Sequence, residues 1–511
     1  MADNGVPFFT ALPFMPQFAP AANVKLSAHE RKVIAVRALA SAEPISALAA
    51  RHGVSRPLVY RHMHQASAAL DDLFSPTPPG DVEEVLCTLP ITRRWLKQAT
   101  LGLTMIAHAS MRGVTEFMRD LVGVSLSLGT VHHIHQQAAR QAILINNDVD
   151  LSAIRVGLHD EIFQGSQPVL AGVDAASTYC YLLAAEDQRD GDTWAIHLLD
   201  LQARGLDPDY TIADAGAGLR AGQKTAWPDI PCHGDVFHIQ QQFETVVNIW
   251  TRIASGARSQ REALQARLAN PRRRCQDGVL MAELAALSQT ETQSQRRADD
   301  LRTLARWLKH DVLSLAGPAR TTREELFDFI VDELRKREPE DPSRIGAVRG
   351  ALQNQRDDLL AFAGVLDEKL EAIARSAAVS PHLVRAACLL HRQSTTSGAF
   401  WQGWNRLHAA MGRQFHAVWT AVCRAMSSTP RSSALVENIN SRLRNCLTLR
   451  RHLDGGQAWL GLVQFFFNHR RLMRSRCDQR LGKTPREVMT GQNHPHWLTL
   501  LGLGPIQPLR A

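Results

Sequence analysis

The sequence lacks the features that mark membrane, secreted and zinc-stabilised proteins. None of its apolar runs approaches the ~20 residues that a membrane-spanning helix requires. A basic region followed by an apolar segment is absent from the N-terminus, so we expect no secretory signal. The absence of a CxxC pair argues against a zinc site or a disulfide scaffold and favours a reducing cytoplasm. The eight cysteines are scattered, at positions 87, 180, 232, 275, 388, 423, 446 and 477.

Length and charge indicate a multidomain protein with a phosphate-bearing partner. The chain has 511 residues, which predicts three or four domains rather than one hydrophobic core. Its 58 lysines and arginines outnumber 50 aspartates and glutamates, for a net charge of +8. Charge that served only solubility would be evenly spread, whereas these arginines are clustered. Clustered positive charge is typical of proteins that bind nucleic acid.

Composition and periodicity divide the chain into seven segments, with no internal repeat of fixed period. Only the middle of the chain has short runs of Val, Ile, Leu and Tyr separated by Gly, Pro and Asp, a pattern that predicts strands. The predicted segments are a disordered tail (1–24), a helix-turn-helix domain (25–75), a second helical DNA-binding domain (82–147), the first part of an α/β core (153–242), an all-α insertion (243–425), the completion of the core (426–490) and a C-terminal tail (491–511).

Residues 45–63 have the pattern of a helix-turn-helix. Gly53 provides a tight turn, Ser55 caps the second helix, and Pro57 lies in its first turn, where a missing N–H costs nothing. An ordinary helical hairpin is the alternative interpretation. If the second helix enters a major groove, the side chains expected to reach DNA are those of Arg56, Tyr60, Arg61 and His64.

A second helix-turn-helix candidate covers residues 113–134. It again has a helix, a glycine turn and a helix capped by serine or threonine. We expect Thr130 and His133 to contact DNA. The histidines at 132, 133 and 135 could suggest a metal site, but acidic or cysteine partners are absent nearby. Exposed helix histidines close to phosphate are therefore the preferred interpretation.

The strand-rich segment predicts an α/β sheet with an acid at the end of each of two strands. Asp160 ends an apolar run within the first predicted strand, and Asp214 ends the fourth strand. Three antiparallel strands, a helix and a further strand with an acid describe the ribonuclease H-like fold, which places these two acids side by side. The predicted strands are 154–162, 169–175, 179–184, 210–214 and 230–236, with helices at 194–206 and 216–227.

A third acid, Glu437, lies at the start of a basic helix far along the chain. Taken alone, a strand-end aspartate is more often a turn former or a helix cap than a ligand. Together, Asp160, Asp214 and Glu437 can hold two divalent cations, because Mg²⁺ prefers carboxylate oxygens. Two such cations can stabilise both the attacking and the leaving oxygen of a phosphodiester.

With these motifs the chain resembles the DDE-type transposases of bacterial insertion sequences, specifically the Mutator-like branch with a helical insertion. The resemblance covers roughly residues 85–490 and is specific only in combination. Asp235 and His238 fit an Asp/Cys-x-x-His element of that branch and would support the site. Asp174, in Val173-Asp174-Ala175, is an alternative first acid, but Asp160 is preferred because two further strands follow it. The motifs that carry the resemblance are Asp160-Glu161-Ile162-Phe163, residues 213–220, Asp235-Val236-Phe237-His238, residues 437–444 and residues 482–488.

The resemblance implies a multidomain α and α/β protein, with N-terminal helix-turn-helix domains and a ribonuclease H-like core interrupted by an all-α insertion. It implies a transposase with two Mg²⁺ or Mn²⁺ ions that cuts DNA to leave a 3′-hydroxyl, which then attacks a phosphodiester of the target DNA and joins the strand to it. The expected partners are double-stranded DNA, as terminal inverted repeats and target, and further copies of the chain as a homodimer or higher oligomer. We expect a bacterial cytoplasmic protein that is associated with the nucleoid and does not bind a membrane. A domesticated helix-turn-helix regulator and a ribonuclease H-like nuclease or resolvase are the alternatives.

Two further groups of residues are candidates for DNA contact. The helix that contains Glu437 is rich in arginine. One planar guanidinium group can donate two parallel hydrogen bonds to the oxygens of a phosphate. The candidates in this helix are Arg442, Arg444, Arg450 and Arg451. Trp401 and Trp404 could stack on an unpaired base at a transposon end, although packing in a core is the preferred interpretation.

Overall fold

The computed structural model describes residues 26–75, 87–269, 277–448, 456–475 and 477–508. The chain forms two compact units, one of Met1–Thr88 with Arg510–Ala511 and one of Leu89–Leu509. The described residues are mostly helical, and their strands form one mixed sheet. The prediction of a multidomain protein with α and α/β parts is confirmed at this level.

The described residues of the first unit form three helices: α1 (Ala28–Leu39), α2 (Ile45–Arg51) and α3 (Arg56–Phe74). The turn between α2 and α3 contains Gly53 with φ +61°, in the left-handed region that favours glycine. Pro57 lies in the first turn of α3, and Ser55 is its N-cap residue, although within the described residues the Ser55 hydroxyl makes no capping bond. The predicted helix, glycine turn and second helix are therefore present. The small core consists of Ile34, Ala38, Leu48, Ala49 and Val59.

The second unit begins with three helices: α4 (Arg93–Met105), α5 (Met111–Asp120) and α6 (Leu128–Asn147). As predicted, a glycine turn precedes a serine-capped helix: Gly123 has φ +72°, and Ser127 Oγ accepts the Thr130 N–H at 3.1 Å. The later turns of α6 are buried in the core beside the sheet. The segment predicted as a separate domain, 82–147, is thus packed from residue 89 onward into the same unit as the α/β core.

The sheet has the strand order β3-β2-β1-β4-β5, in which β1 pairs antiparallel with β2 and parallel with β4. β2 and β3 are antiparallel, whereas β4 and β5 are parallel. All five predicted strands are present, with ends within two residues of the prediction. The elements are β1 (Val156–Gln164), β2 (Gln167–Asp174), β3 (Cys180–Ala185), α7 (Gly191–Ala203), β4 (Tyr210–Ala213), α8 (Ala217–Ala226) and β5 (Cys232–Gly234).

A long helical region follows the sheet, as the sequence predicts for 243–425. One of its helices, α13 (Arg356–Ala377), lies against β5: a Cβ added to Gly234 would come 3.1 Å from the Leu359 side chain. This contact brings the helical region up to the carboxyl ends of the parallel strands. The helices are α9 (Val236–Leu268), α10 (Asp277–Trp307), α11 (Arg320–Arg337), α12 (Ile345–Asn354), α13 (Arg356–Ala377), α14 (Pro381–Leu390), α15 (Gly398–Met411) and α16 (Phe415–Ser427), with a π-helix at Leu308–Val312.

The last helices are α17 (Ala434–Leu447), α18 (Gln457–His469), α19 (Pro485–Thr490) and α20 (Trp497–Leu500). Helix α18 is buried and covers the edge strand β3, where Asn468 Nδ2 donates to the Cys180 carbonyl at 2.8 Å. The same amide's Oδ1 accepts the Cys180 N–H at 2.8 Å, so polar groups of this sheet edge are satisfied by a side chain. Part of the predicted C-terminal tail is also packed, since Trp497 and Leu498 lie in the main core.

Across these described segments, we find no helix with the length and apolar character needed to cross a bilayer.

Candidate metal centre

The centre of the site is Asp160, which lies in the middle of β1 rather than at its end. In the parallel pair of β1 and β4, Leu158 lies beside Ile212, so two residues further on Asp160 lies at the level of Asp214. Asp160 is only 5% exposed. Its Oδ1 accepts the Glu161 N–H at 2.8 Å. The strand therefore holds a buried carboxylate next to the end of β4.

Glu437 reaches Asp160 from the first turn of α17, which packs against β1 and β2. Three residues later on the same helix face, Asn440 is buried and donates from Nδ2 to Asp160 Oδ2 at 2.8 Å. This hydrogen bond fixes α17 relative to the strand, so the half-buried Glu437 carboxylate faces that of Asp160.

A third element contributes His238, in the first turn of α9. Asp235 is the N-cap of α9, and its Oδ1 accepts the Phe237 N–H at 2.7 Å. Its Oδ2 accepts both the hydroxyl and, at 3.2 Å, the N–H of Ser433, immediately before α17. Asp235 thus joins the starts of α9 and α17, the helices that carry His238 and Glu437. The supporting role of Asp235 in a catalytic site stays a prediction, and its observed role is to link the starts of these two helices.

The atoms that could bind a cation converge in one place. One ligand atom from each of Asp160, His238 and Glu437 lies within 4.8 Å of the other two. His238 Nε2 is 3.6 Å from Asp235 Oδ2 and 4.0 Å from Glu437 Oε1. The sequence predicted a set of Asp160, Asp214 and Glu437. The cluster differs from it in one member, with His238 in place of Asp214.

Asp214 lies beside this cluster, immediately after β4. Its Oδ1 accepts the Gly216 N–H at 2.9 Å, which holds the turn into α8. It lines a cavity of about 370 Å³ together with Asp235 and His238. Asp214 is therefore at the site, although outside the three-residue cluster.

Burial and negative charge perturb Asp160. Burial is the main cause that raises its pKa from 3.8 to about 7, and the charges of Glu437 and Asp214 act in the same direction. The Glu161 N–H and His238 oppose the rise. Two carboxylates held this close favour either a shared proton or a bound cation, because both remove their mutual repulsion.

Arg220 holds the backbone around Asp214. It belongs to α8, and its side chain also bonds Oδ2 of Asp358, in the first turn of α13, at 3.0 Å. The guanidinium thus ties the ends of β4 and β5 to the helical region. The carbonyls that accept its N–H groups are those of Asp214 (2.9 Å), Cys232 (2.7 Å), Ala213 (3.3 Å) and His233 (3.4 Å).

Asp174, the alternative first acid, is not brought to this site. It lies at the far end of β2 and pairs with Gly157, whereas Asp160 pairs with Ala171. Its Oδ1 accepts the Ala176 N–H at 3.2 Å, and its Oδ2 accepts the Ser177 N–H at 2.8 Å and the Ser177 hydroxyl. The side chain closes the turn between β2 and β3, the ordinary role of a strand-end aspartate.

The predicted DNA-reading residues of the two helix-turn-helix segments are at the surface. The side chains of Arg56, Tyr60, Arg61 and His64 are all exposed on α3, and those of Thr130 and His133 are exposed on α6. The sequence predicts that His135 is an exposed helix histidine close to phosphate. This prediction is wrong, because His135 is buried and its Nε2 lies 3.0 Å from Thr104 Oγ1. DNA contact by the six exposed residues stays a prediction.

The arginines after Glu437 have different surroundings. The guanidinium of Arg442 lies 4.1 Å from the centre of the Phe467 ring, and burial lowers its pKa. Arg444 is exposed. Seven residues after Glu437, it lies on the same face of α17, two turns along. Arg450 and Arg451 lie outside the described residues.

The two tryptophans also differ. Trp404 packs into the core of α14–α16, with its ring 4.6 Å from that of Phe415 and 4.7 Å from that of Trp419. Core packing, the preferred interpretation, is confirmed for Trp404. Trp401 is 52% exposed and touches Phe400, so it remains a candidate for stacking on a base.

Sequence reasoning missed Asn440, Arg220 and Ser433 as parts of the site. Asn440 had a usable signal, since its spacing from Glu437 places both on one helix face. Arg220 and Ser433 had none, because their roles depend on carbonyls and a carboxylate that only the fold brings near.

Comparison with protein-family models finds none that matches this chain, and comparison with curated proteins finds no match either. The chemistry of the centre therefore has to be inferred from its geometry.

Proposed function

We propose that the protein is a metal-dependent DNA transposase, which cleaves DNA strands at transposon ends and joins the resulting 3′-hydroxyl to target DNA. The observation that carries the proposal is the convergence of Asp160, Glu437 and His238, with Asp214 on the neighbouring strand end. These four groups come from three distant parts of the chain, so their meeting is a property of the fold. A chain that only bound DNA would have no use for a buried acid, Asp160, held close to two further acids that repel its charge.

The donor set suits a divalent cation. His238 Nε2 is buried and, among the described residues, makes no hydrogen bond. Mn²⁺ accepts both carboxylate oxygen and imidazole nitrogen, and Mg²⁺ is bound by carboxylates. Asp160, Glu437 and His238 would hold one cation, and Asp160 with Asp214 a second.

The residues have separate tasks in this proposal. Bound cations would supply Lewis acidity toward the scissile phosphate and its attacking oxygen. Asp160, Glu437 and Asp214 set the position of that charge, and Asn440 holds Asp160 in one orientation. Asp235 holds α9 and α17 together, which keeps His238 opposite Glu437. Phosphates of the substrate would be held by exposed arginines such as Arg444.

The sheet order supports the same proposal. A core of three antiparallel strands followed by two parallel ones, with one acid on the first strand and another directly after the fourth, is the arrangement expected of a ribonuclease H-like fold. In this view, the helical region between β5 and α17 is an insertion into that core. The exposed α3 surface would bind terminal repeats.

The test is strand cleavage by the full chain. A supercoiled plasmid that carries the reading frame with its flanking DNA is incubated with the protein and Mn²⁺ or Mg²⁺, and the nicks are mapped. We expect nicks with free 3′-hydroxyls at both flanks. Changing the acids (Asp160→Asn, Asp214→Asn or Glu437→Gln) should abolish nicking and leave DNA binding nearly intact.

Two matched variants control for charge. Asp229→Asn removes a carboxylate of the same region that is exposed and away from the cluster, and it should nick as wild type does. Asp174→Asn removes the alternative first acid. Nicking that survives Asp214→Asn, or is lost only in Asp174→Asn, would contradict the assignment of the site.

A further inference from the structure

We infer that the cavity beside Asp214 is a subsite for one unpaired nucleobase, the base next to the phosphate that is cut. The inference rests on the proposed function, since the cavity opens directly onto the metal centre. At about 370 Å³ it lies at the small end of ligand pockets. A stacked base pair of duplex DNA does not fit such a recess, whereas a single extruded base does.

One wall of the cavity is a polar stripe of α9. His238, Gln241, Gln242 and Thr245 lie at helical spacings of three and four residues, so they share one face. Gln241 and Gln242 are exposed to the cavity, and within the described residues neither side-chain amide has a hydrogen-bond partner. Each amide therefore offers an unused donor and an unused acceptor.

The opposite side comes from two other elements. Gln355, between α12 and α13, uses its Nε2 to donate to the Ala351 carbonyl at 3.2 Å, which leaves its Oε1 as an acceptor for the cavity. Ala215 and Gly216 form a low wall next to Asp214. A Cβ at Gly216 would lie 2.9 Å from Asp214 Oδ1, so a larger residue there would crowd both the acid and the cavity.

The lining beyond the cation ligands suits a base better than a second phosphate. It contains no lysine or arginine within the described part of the chain, so apart from the cations held by Asp214 and His238 it offers no cationic partner to a phosphate. A neutral ring with donors and acceptors on its edge would instead pair with the amides. Adenine suits a glutamine best, because one amide can bond its N6 and N7 together.

The experiment compares two short duplexes in Ca²⁺, one fully paired and one with a single adenine placed opposite an abasic position. We expect the full chain to bind the unpaired duplex about tenfold more tightly, because the cost of extrusion is already met. With 2-aminopurine in place of that adenine, binding should change its fluorescence. Gln241→Ala/Gln242→Ala should reduce the preference to within about twofold, a loss of roughly 1 kcal/mol.

Gln260→Ala is the matched control, since Gln260 is an exposed glutamine of the same helix about five turns away. It should keep the preference. Equal binding of both duplexes by wild type, or an undiminished preference in the double variant, would overturn the subsite. Plasmid nicking in Mn²⁺ is measured alongside: a wild type that nicks but has no preference overturns only the subsite, whereas one that never nicks overturns the proposed function.

Discussion

The side-chain amide of Asn440 donates a 2.8 Å hydrogen bond to Oδ2 of Asp160, across the contact between α17 and β1. Both residues are buried, so water cannot replace this bond. Since Oδ1 of Asp160 accepts the Glu161 N–H, both carboxylate oxygens are oriented before any ligand arrives. Such outer contacts commonly determine how well a first ligand performs.

Replacing Asn440 with Ala should therefore weaken Mn²⁺ binding about tenfold to a hundredfold, the usual cost of losing an outer-shell partner. Calorimetric titration of Mn²⁺ into the full chain measures the change. Asn438→Ala is the control, because Asn438 is exposed on the other side of the same helix and should leave the affinity unchanged. An Asn440→Ala protein with wild-type affinity would show that Asp160 needs no support from α17.

Much of this fold and part of the site could be predicted from local sequence. The strands were predictable because buried β-branched runs end at Gly, Pro or Asp, and the acids because they follow such runs. Which ligand atoms converge was not predictable. His238 joins Asp160 and Glu437 because Asp235 binds Ser433 across a long separation in sequence, and local patterns contain no trace of that bond.

Arg442, in the basic helix α17, is a second residue whose contacts could not be predicted from local sequence. Its charge predicts a phosphate contact, but its position on α17 turns it toward Phe467. Arg444, two residues later, points outward. The helical period distinguishes the two only once the buried face of α17 is known.

The raised pKa of Asp160 predicts how the stability of the metal-free protein depends on pH. Folding raises this pKa from 3.8 to about 7, so the folded state keeps a proton that the unfolded state has lost. The free energy of unfolding should therefore fall as pH rises from about 4 to 7, by at most about 4 kcal/mol. Denaturation midpoints in EDTA, for wild type and Asp160→Asn, measure the effect. The variant should lack it and be the more stable protein at pH 8.

The effect of Asp160 is read from the difference in the free energy of unfolding between wild type and Asp160→Asn at each pH. Burial lowers the pKa of His159 to about 4, which changes stability with pH in the opposite direction in both proteins. Because protons and cations compete for Asp160, Mn²⁺ affinity of the wild type should rise up to about tenfold per pH unit between pH 5 and 7. Parallel stability curves for the two proteins would mean that Asp160 is already ionised in the metal-free fold.

Arg220 should act as a positioning residue for Asp214. Arg220→Lys keeps one charge but cannot reach the four carbonyls and Asp358 together, so the turn after β4 should loosen. We expect the Mn²⁺ concentration needed for half-maximal nicking to rise about tenfold, with a smaller change in the rate at saturating metal. Lys224→Ala, an exposed change on the same helix, is the control. A lower rate with an unchanged metal requirement would indicate a general loss of folding instead.

Alanine variants of Arg444 and Arg442 should affect different properties: Arg444→Ala the affinity for DNA, and Arg442→Ala the stability of the fold. Arg444 is exposed on the Glu437 face of α17, so Arg444→Ala should lower the slope of log affinity against log salt by about one. Arg442 is stacked on Phe467, so Arg442→Ala should cost about 1–2 kcal/mol of stability and leave that slope unchanged. Binding at several salt concentrations, together with melting curves, measures both effects. If Arg442→Ala lowers the slope while Arg444→Ala does not, DNA approaches α17 from the side that faces α18, and the cations would have to reach the scissile phosphate by a different path.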